Sequence, residues 1–101
     1  MGMFSGRGKA LSLYKRGMKK AKNKDLAGAV EDYTLVINMP NVPNDVKAMA
    51  LFNRALAYSR DKDYTQATAD LEQVLATPET PADVMTAAQQ KVQRMKKLDR
   101  S

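Results

Sequence analysis

Residues 9–46 lie over residues 47–84 without a gap and agree at 13 of 38 positions. The matches are Lys9/Lys47, Ala10/Ala48, Leu13/Leu51, Arg16/Arg54, Lys24/Lys62, Asp25/Asp63, Ala29/Ala67, Asp32/Asp70, Val36/Val74, Pro40/Pro78, Pro43/Pro81, Asp45/Asp83 and Val46/Val84. Chance matching at ordinary composition supplies about two. A period of this length means one supersecondary unit made twice, each copy burying an apolar face that it cannot bury alone. No other feature narrows the possible folds as far.

Each unit reads as two helices. Ala10, Leu13, Gly17 and Ala21 recur at three and four residues, as do Val46, Ala50, Leu51, Ala55 and Tyr58, so each set forms one face of a first helix. A second helix is predicted to begin near Asp25 or Asp63, acids suited to a helix start. It carries Leu26, Ala29, Val30, Tyr33, Val36 and Ile37 in one copy and Tyr64, Ala67, Leu71, Val74 and Leu75 in the other. The proline clusters MPNVP and TPETP end these helices, because proline lacks the N–H that continues one. A fifth helix is expected from Pro81 to about Leu98, entered through Thr80-Pro81-Ala82-Asp83, the spacing of a capping box. Its stripe of Val84, Ala88, Val92 and Met95 suits a cap over the exposed end of the second repeat, with Gln89, Gln90, Gln93 and Lys97 on its other faces. No strand is needed.

A chain of 101 residues holds one domain, and its 44% hydrophobic and 28% charged residues are ordinary globular composition. It has neither cysteine nor histidine, which removes disulfides, thiolate nucleophiles, imidazole bases and nearly all zinc sites. No apolar run approaches the roughly 18 residues of a membrane span, and the start lacks the apolar core of a secretory signal, so a soluble cytoplasmic protein is the default reading. Gly2 stands near the start, but Gly6 occupies the place where a myristoylation signal needs Ser or Thr. Gly6, Gly8 and Lys9 are misspaced for a phosphate loop, and Ala10 follows where Ser or Thr belongs.

The net charge of +6 is unevenly placed. Residues 1–24 hold eight bases and no acid, residues 25–90 ten acids and four bases, and residues 91–101 five bases and one acid.

Gly17, Leu26, Ala29 and Tyr33 in one copy, and Ala55, Tyr58, Tyr64, Ala67 and Leu71 in the other, resemble the tetratricopeptide repeat in their order of small and aromatic positions. The resemblance covers about residues 10–98, as two repeats and a closing helix. It departs from the family pattern where Leu13 and Leu51 replace a frequent Trp, where Lys20 replaces a Tyr, and in a period of 38 instead of 34. Small residues at Ala29 and Ala67 let two helices cross closely, and a large side chain at Ala67 would push the hairpin open.

The resemblance implies an all-α domain of five helices, antiparallel hairpins stacked as a short right-handed α-solenoid. Its parts would be a flexible tail over 1–8, hairpins over 9–39 and 44–76, and a capping helix over 81–99. It also implies docking of a peptide or partner protein on a concave groove lined by the first helices. The groove-facing positions transfer to Leu11, Tyr14, Lys15, Met18 and Lys22, then Met49, Phe52, Asn53, Leu56 and Arg60, then Ala87, Gln90, Lys91 and Arg94. Such a floor, apolar with a basic rim, suits an acidic or amphipathic segment whose carboxylates meet Lys15, Lys22, Arg60, Lys91 or Arg94. The alternative is that Leu11, Met49 and Leu56 only pack between helices and the lysines only keep the face soluble.

Co-chaperones of the family hold a terminal carboxylate with two Lys, two Asn and one further base. Here only Asn53 and Lys91 match that set, while Tyr14, Met18 and Ala87 fill the other places, so the clamp is not expected and Asn53 reads as a local hydrogen-bonding residue. Nucleic-acid binding is the rival class, since Lys15, Lys19 and Lys22 share a helix face and Arg94, Lys97 and Arg100 could add a second. An enzyme is not expected. Asp61 with Asp63 falls in a turn, and Glu31 with Asp32 is assigned to the outer face of a helix, with no base, nucleophile or metal-ligand set beside either. Neither a metal nor a cofactor is expected, and self-association into a homo-oligomer is a third possibility.

Overall fold

The structure, a computed structural model, describes residues 6–100. These form five helices: α1 (Gly6–Lys22), α2 (Leu26–Ile37), α3 (Asn44–Arg60), α4 (Tyr64–Ala76) and α5 (Ala82–Asp99), with no strand among the described residues. Each helix packs on the next, and α3 also touches α1 and α5. The result is an elongated body of 51 × 29 × 20 Å.

One aspartate makes each tight turn. Lys24 and Lys62 take left-handed backbone angles (φ 67° and 62°), and the next residue's N–H reaches back five residues, Asp25 to the Lys20 carbonyl and Asp63 to that of Tyr58, both at 2.8 Å. That is the Schellman closure of the preceding helix. The same residue's carboxylate then caps the following helix, Asp25 accepting from the Gly28 N–H at 2.9 Å and Asp63 from the Gln66 N–H at 3.2 Å. A single residue therefore ends one helix and starts the next, which keeps both turns short. The longer proline turns repeat as well, with Asn41 and Glu79 left-handed at φ 61° and 63°.

Two expectations about helix starts need correction. Of the tail expected over 1–8, residues 1–5 lie outside the described residues and residues 6–8 are already helical. Arg7 gives that first turn a tertiary anchor, donating through both terminal nitrogens to Asp45 at 3.0 Å. The capping box at Thr80 does not form: α5 starts after Pro81 with no side-chain cap. The Thr80 hydroxyl instead donates back to the Thr77 carbonyl at 2.8 Å and the Val74 carbonyl at 3.2 Å, closing the end of α4.

Two buried clusters make the core. Ala10, Ala29, Tyr33, Val36, Val46 and Ala50 join α1, α2 and α3, while Leu51, Ala55, Ala67, Leu71, Val74, Ala88, Val92 and Met95 join α3, α4 and α5. Ile37 packs against both, so the apolar interior is continuous along the body. Each Leu or Val buried this fully contributes roughly 1.5–3 kcal/mol. Small and large residues trade places across the repeat: Gly17 meets the Tyr33 ring in the first unit, and Ala55 lies with Leu71 in the second.

The two ends of the body are finished by substitution at repeat-equivalent positions. Val46, Ala50 and Ala57 of α3 are buried toward α2, whereas the residues 38 earlier on α1 are Gly8, Ser12 and Lys19, all exposed. On α5, the places of Leu51 and Ala55 are taken by Gln89 and Gln93, again exposed, while Ala88, Val92 and Met95 cover α4. The expected stripe of α5 thus lies against its neighbours, with Ala88, Val92 and Met95 in the core cluster shared with α3 and α4.

Candidate functional site

Three polar links bind α1 to α3. Arg7 pairs with Asp45; the Asn53 amide donates to the Tyr14 hydroxyl at 2.8 Å; and an Arg60 terminal nitrogen donates to the Ala21 carbonyl at 3.3 Å. On α1 the linked residues stand seven apart, two helical turns, so they share the face turned to α3. The Tyr14 ring also tilts against Tyr33, centroids 5.9 Å apart at 44°. Burial pushes the Tyr14 hydroxyl above its ordinary range against the opposing effect of the Asn53 bond, and burial pushes Tyr33 up to about 12.

Beside these links lies the surface expected to bind a partner. Tyr14, Met18 and Lys22 follow at four-residue steps on α1, with Lys15 adjoining, and Met49, Asn53, Leu56 and Arg60 follow on α3. Met18 is 44% exposed, and Lys15 and Lys22 are exposed, with no acid partner among the described residues. Tyr14, Met49 and Leu56 are half-buried, as is Phe52, which packs against the second core cluster. Leu11 packs against the first. On α5, Lys91 is half-buried and Arg94 exposed.

Asn53 is a local bonding residue, giving its amide to the Met49 carbonyl at 3.0 Å as well as to Tyr14. Arg60 serves the α1–α3 junction besides facing solvent.

The acid pair placed on an outer helix face needs correction at Asp32, which is fully buried. It accepts from Arg16 Nε at 2.9 Å and Arg16 Nη2 at 2.8 Å, with Lys20 Nζ at 3.1 Å. The second repeat makes the same fork between Arg54 and Asp70, both bonds 2.8 Å. All four residues are among the sequence identities, and the signal was there: a cation and an acid 16 apart, conserved between the two copies. The copies differ in their surroundings. Arg54 also donates to the Thr34 hydroxyl at 3.0 Å and lies over the Tyr58 ring at 5.7 Å, so it joins the two hairpins, and its side chain is 16% exposed. Arg16 is 55% exposed, and among the described residues its bonds go to Asp32.

The Arg16 guanidinium, bonded to Asp32, holds that carboxyl below the ordinary carboxylate range, with Lys20 assisting and burial opposing. A lowered folded value means stability that is present above the ordinary value of about 3.9 and lost as pH falls through the folded value. Urea midpoints are expected to fall on acidification below about pH 4, and Asp32→Asn should flatten that acid limb. An unchanged acid limb in Asp32→Asn would refute the assignment.

An open cavity of about 320 Å³, unmarked by any motif, lies between α2 and α3 and is lined by Leu26, Ala27, Val30, Ala57, Tyr58 and Asp61. At the positions 38 residues on, Met95 stands for Ala57 and the Thr65 hydroxyl donates to Asp99 at 3.0 Å. None of the expected groove residues lines it. Among the described residues no group of three acids could hold a metal ion, and no helix is long and apolar enough to cross a membrane.

Comparison with family models, curated proteins and solved structures finds no match.

Proposed function

We propose that this chain is a tetratricopeptide-like scaffold, two hairpins and a cap wound as a short right-handed solenoid. It docks an acidic or amphipathic segment of a protein partner on the side where α1, α3 and α5 lie together. One observation carries this reading. Met18, an exposed apolar side chain, stands on α1 between Lys15 and Lys22, both without an acid partner among the described residues. Met49 and Leu56 extend the apolar floor across α3, and Arg94 continues the basic rim on α5. An amphipathic acidic helix would cover the floor and place carboxylates against the rim.

The test is binding to an array of acidic amphipathic peptides, followed by titration of the strongest. Met18→Ser with Lys15→Glu is expected to weaken that peptide at least about tenfold, about 1.4 kcal/mol. Circular dichroism should be unchanged, since both side chains are exposed. Equal affinity in the variant would overturn the placement, and an array without a binder would overturn the partner class.

A further inference from the structure

The two open ends of this body meet the same physical problem with different chemistry. On α5 the uncovered face mixes the exposed Thr86, Gln89, Gln90 and Gln93 with the exposed bases Lys97 and Arg100. On α1 it is cationic.

At about 100° per residue, Lys9, Ser12, Lys15, Arg16, Lys19, Lys20, Lys22 and Asn23 fall within one outward half of α1. Leu13 and Gly17 turn the other way, toward α2 and the Tyr33 ring. Asp32 takes up Arg16 and Lys20, but Lys9, Lys15, Lys19 and Lys22 have no acid partner among the described residues, and all four are exposed. No acid occurs anywhere in residues 1–24.

The cations form two rows. Lys15 and Lys22, seven apart, make one flank; Lys9 and Arg16, seven apart, with Lys20 beside them, make the other. The flanks are separated by roughly 120° of arc, with Ser12, Lys19 and Asn23 between them, and Lys9 to Lys22 spans about 20 Å of axis. A helix of about 10 Å diameter enters the major groove of B-form DNA, about 12 Å wide, and Lys15 and Lys22 on one flank and Lys9 on the other then face the two phosphate backbones, while Arg16 and Lys20 stay with Asp32. The deep, narrow major groove of duplex RNA does not admit a helix. A membrane surface fits poorly, because this face offers no apolar side chain to insert.

We propose that the outward face of α1 is a docking surface for duplex DNA, held through its phosphates without reading base sequence. This surface shares Lys15 and Lys22 with the rim of the peptide site but not Met18, and the substitutions below leave both lysines in place, so either assignment can fail alone.

The test is fluorescence anisotropy of the whole chain with a labelled random-sequence DNA duplex. With about four phosphates neutralised, affinity should fall about 100-fold between about 50 and about 200 mM NaCl. Lys9→Gln with Lys19→Gln should lower the logarithmic salt slope by about two. Lys47→Gln with Lys62→Gln, the same change of charge elsewhere, should leave the slope unaltered. Four results would overturn the proposal: no saturable binding at low salt, an equal loss from the control pair, tighter binding to duplex RNA, or tighter binding to vesicles rich in phosphatidylserine.

Discussion

Asp70→Ala is expected to lower the unfolding free energy by about 3 kcal/mol, because it strands a cation that the fold holds away from water. Arg54 gives Asp70 two bonds of 2.8 Å, and only 16% of its side chain is exposed. In the variant it keeps the Thr34 hydroxyl and the Tyr58 ring, neither of which carries a compensating charge. Against a total stability of about 5–15 kcal/mol, such a loss removes a large part of the fold's margin. In a domain of this size the melting temperature should drop by more than about 10 °C. Asp32→Ala breaks the same fork in the first repeat and should cost less, since Arg16, 55% exposed, regains water at once. Thermal melts of the two variants decide the matter. Equal losses would mean that Arg54 does not join the hairpins in the way its contacts indicate.

The second large effect concerns the fit of α1 on α2. A Cβ placed on Gly17 would stand 2.7 Å from Tyr33 Cε1, on a ring that is 1% exposed and has no room to retreat. Overpacking of this kind costs about 1–3 kcal/mol, and the gain of alanine over glycine in a helix, up to about 1 kcal/mol, offsets only part of it. Gly17→Ala is therefore expected to destabilise, against the usual trend for glycine in a helix. Tyr33→Leu alone should destabilise by opening a cavity of the ring's size. Together the two changes rebuild the pair that the second repeat already uses, Ala55 with Leu71. Their combined cost should fall short of the sum by at least about 1 kcal/mol. Strict additivity in a double-mutant cycle would refute the matched-volume account.

Much of the architecture is legible in the residues because it depends on local rules. Proline clusters bound the helices, Asp25 and Asp63 cap them, and the three-and-four spacing marks the faces that become core. The capping box failed as a local rule because the Thr80 hydroxyl had a second set of acceptors, the carbonyls at the end of α4, that only the folded turn brings within reach. Asp32 was misplaced for a related reason. An acid beside Glu31 looks solvated until the neighbouring helix delivers Arg16 and Lys20 onto it.

The expected groove residues divide along the same line. Their helix faces follow from spacing, but their engagement does not. That Asn53 turns to Tyr14 and Arg60 to the Ala21 carbonyl depends on how α1 and α3 lie side by side. The cavity beside Asp61 has no sequence mark at all, since it lies where Ala57 of α3 faces Leu26, Ala27 and Val30 of α2, a juxtaposition made by packing.

By itself, then, the sequence determined the repeat, the helices and the sidedness of charge, all set by residues close in the chain or by a pattern said twice. Only the tertiary structure decided which charges are spent and which remain. A lysine near an acid 12 residues away, such as Lys20 with Asp32, is neutralised by a helix crossing, while Lys9 and Lys19 stay exposed with no acid partner among the described residues. The physical reason is range. Periodicity and capping act within a few residues, whereas an ion pair needs two side chains brought to about 3 Å, and only packing does that.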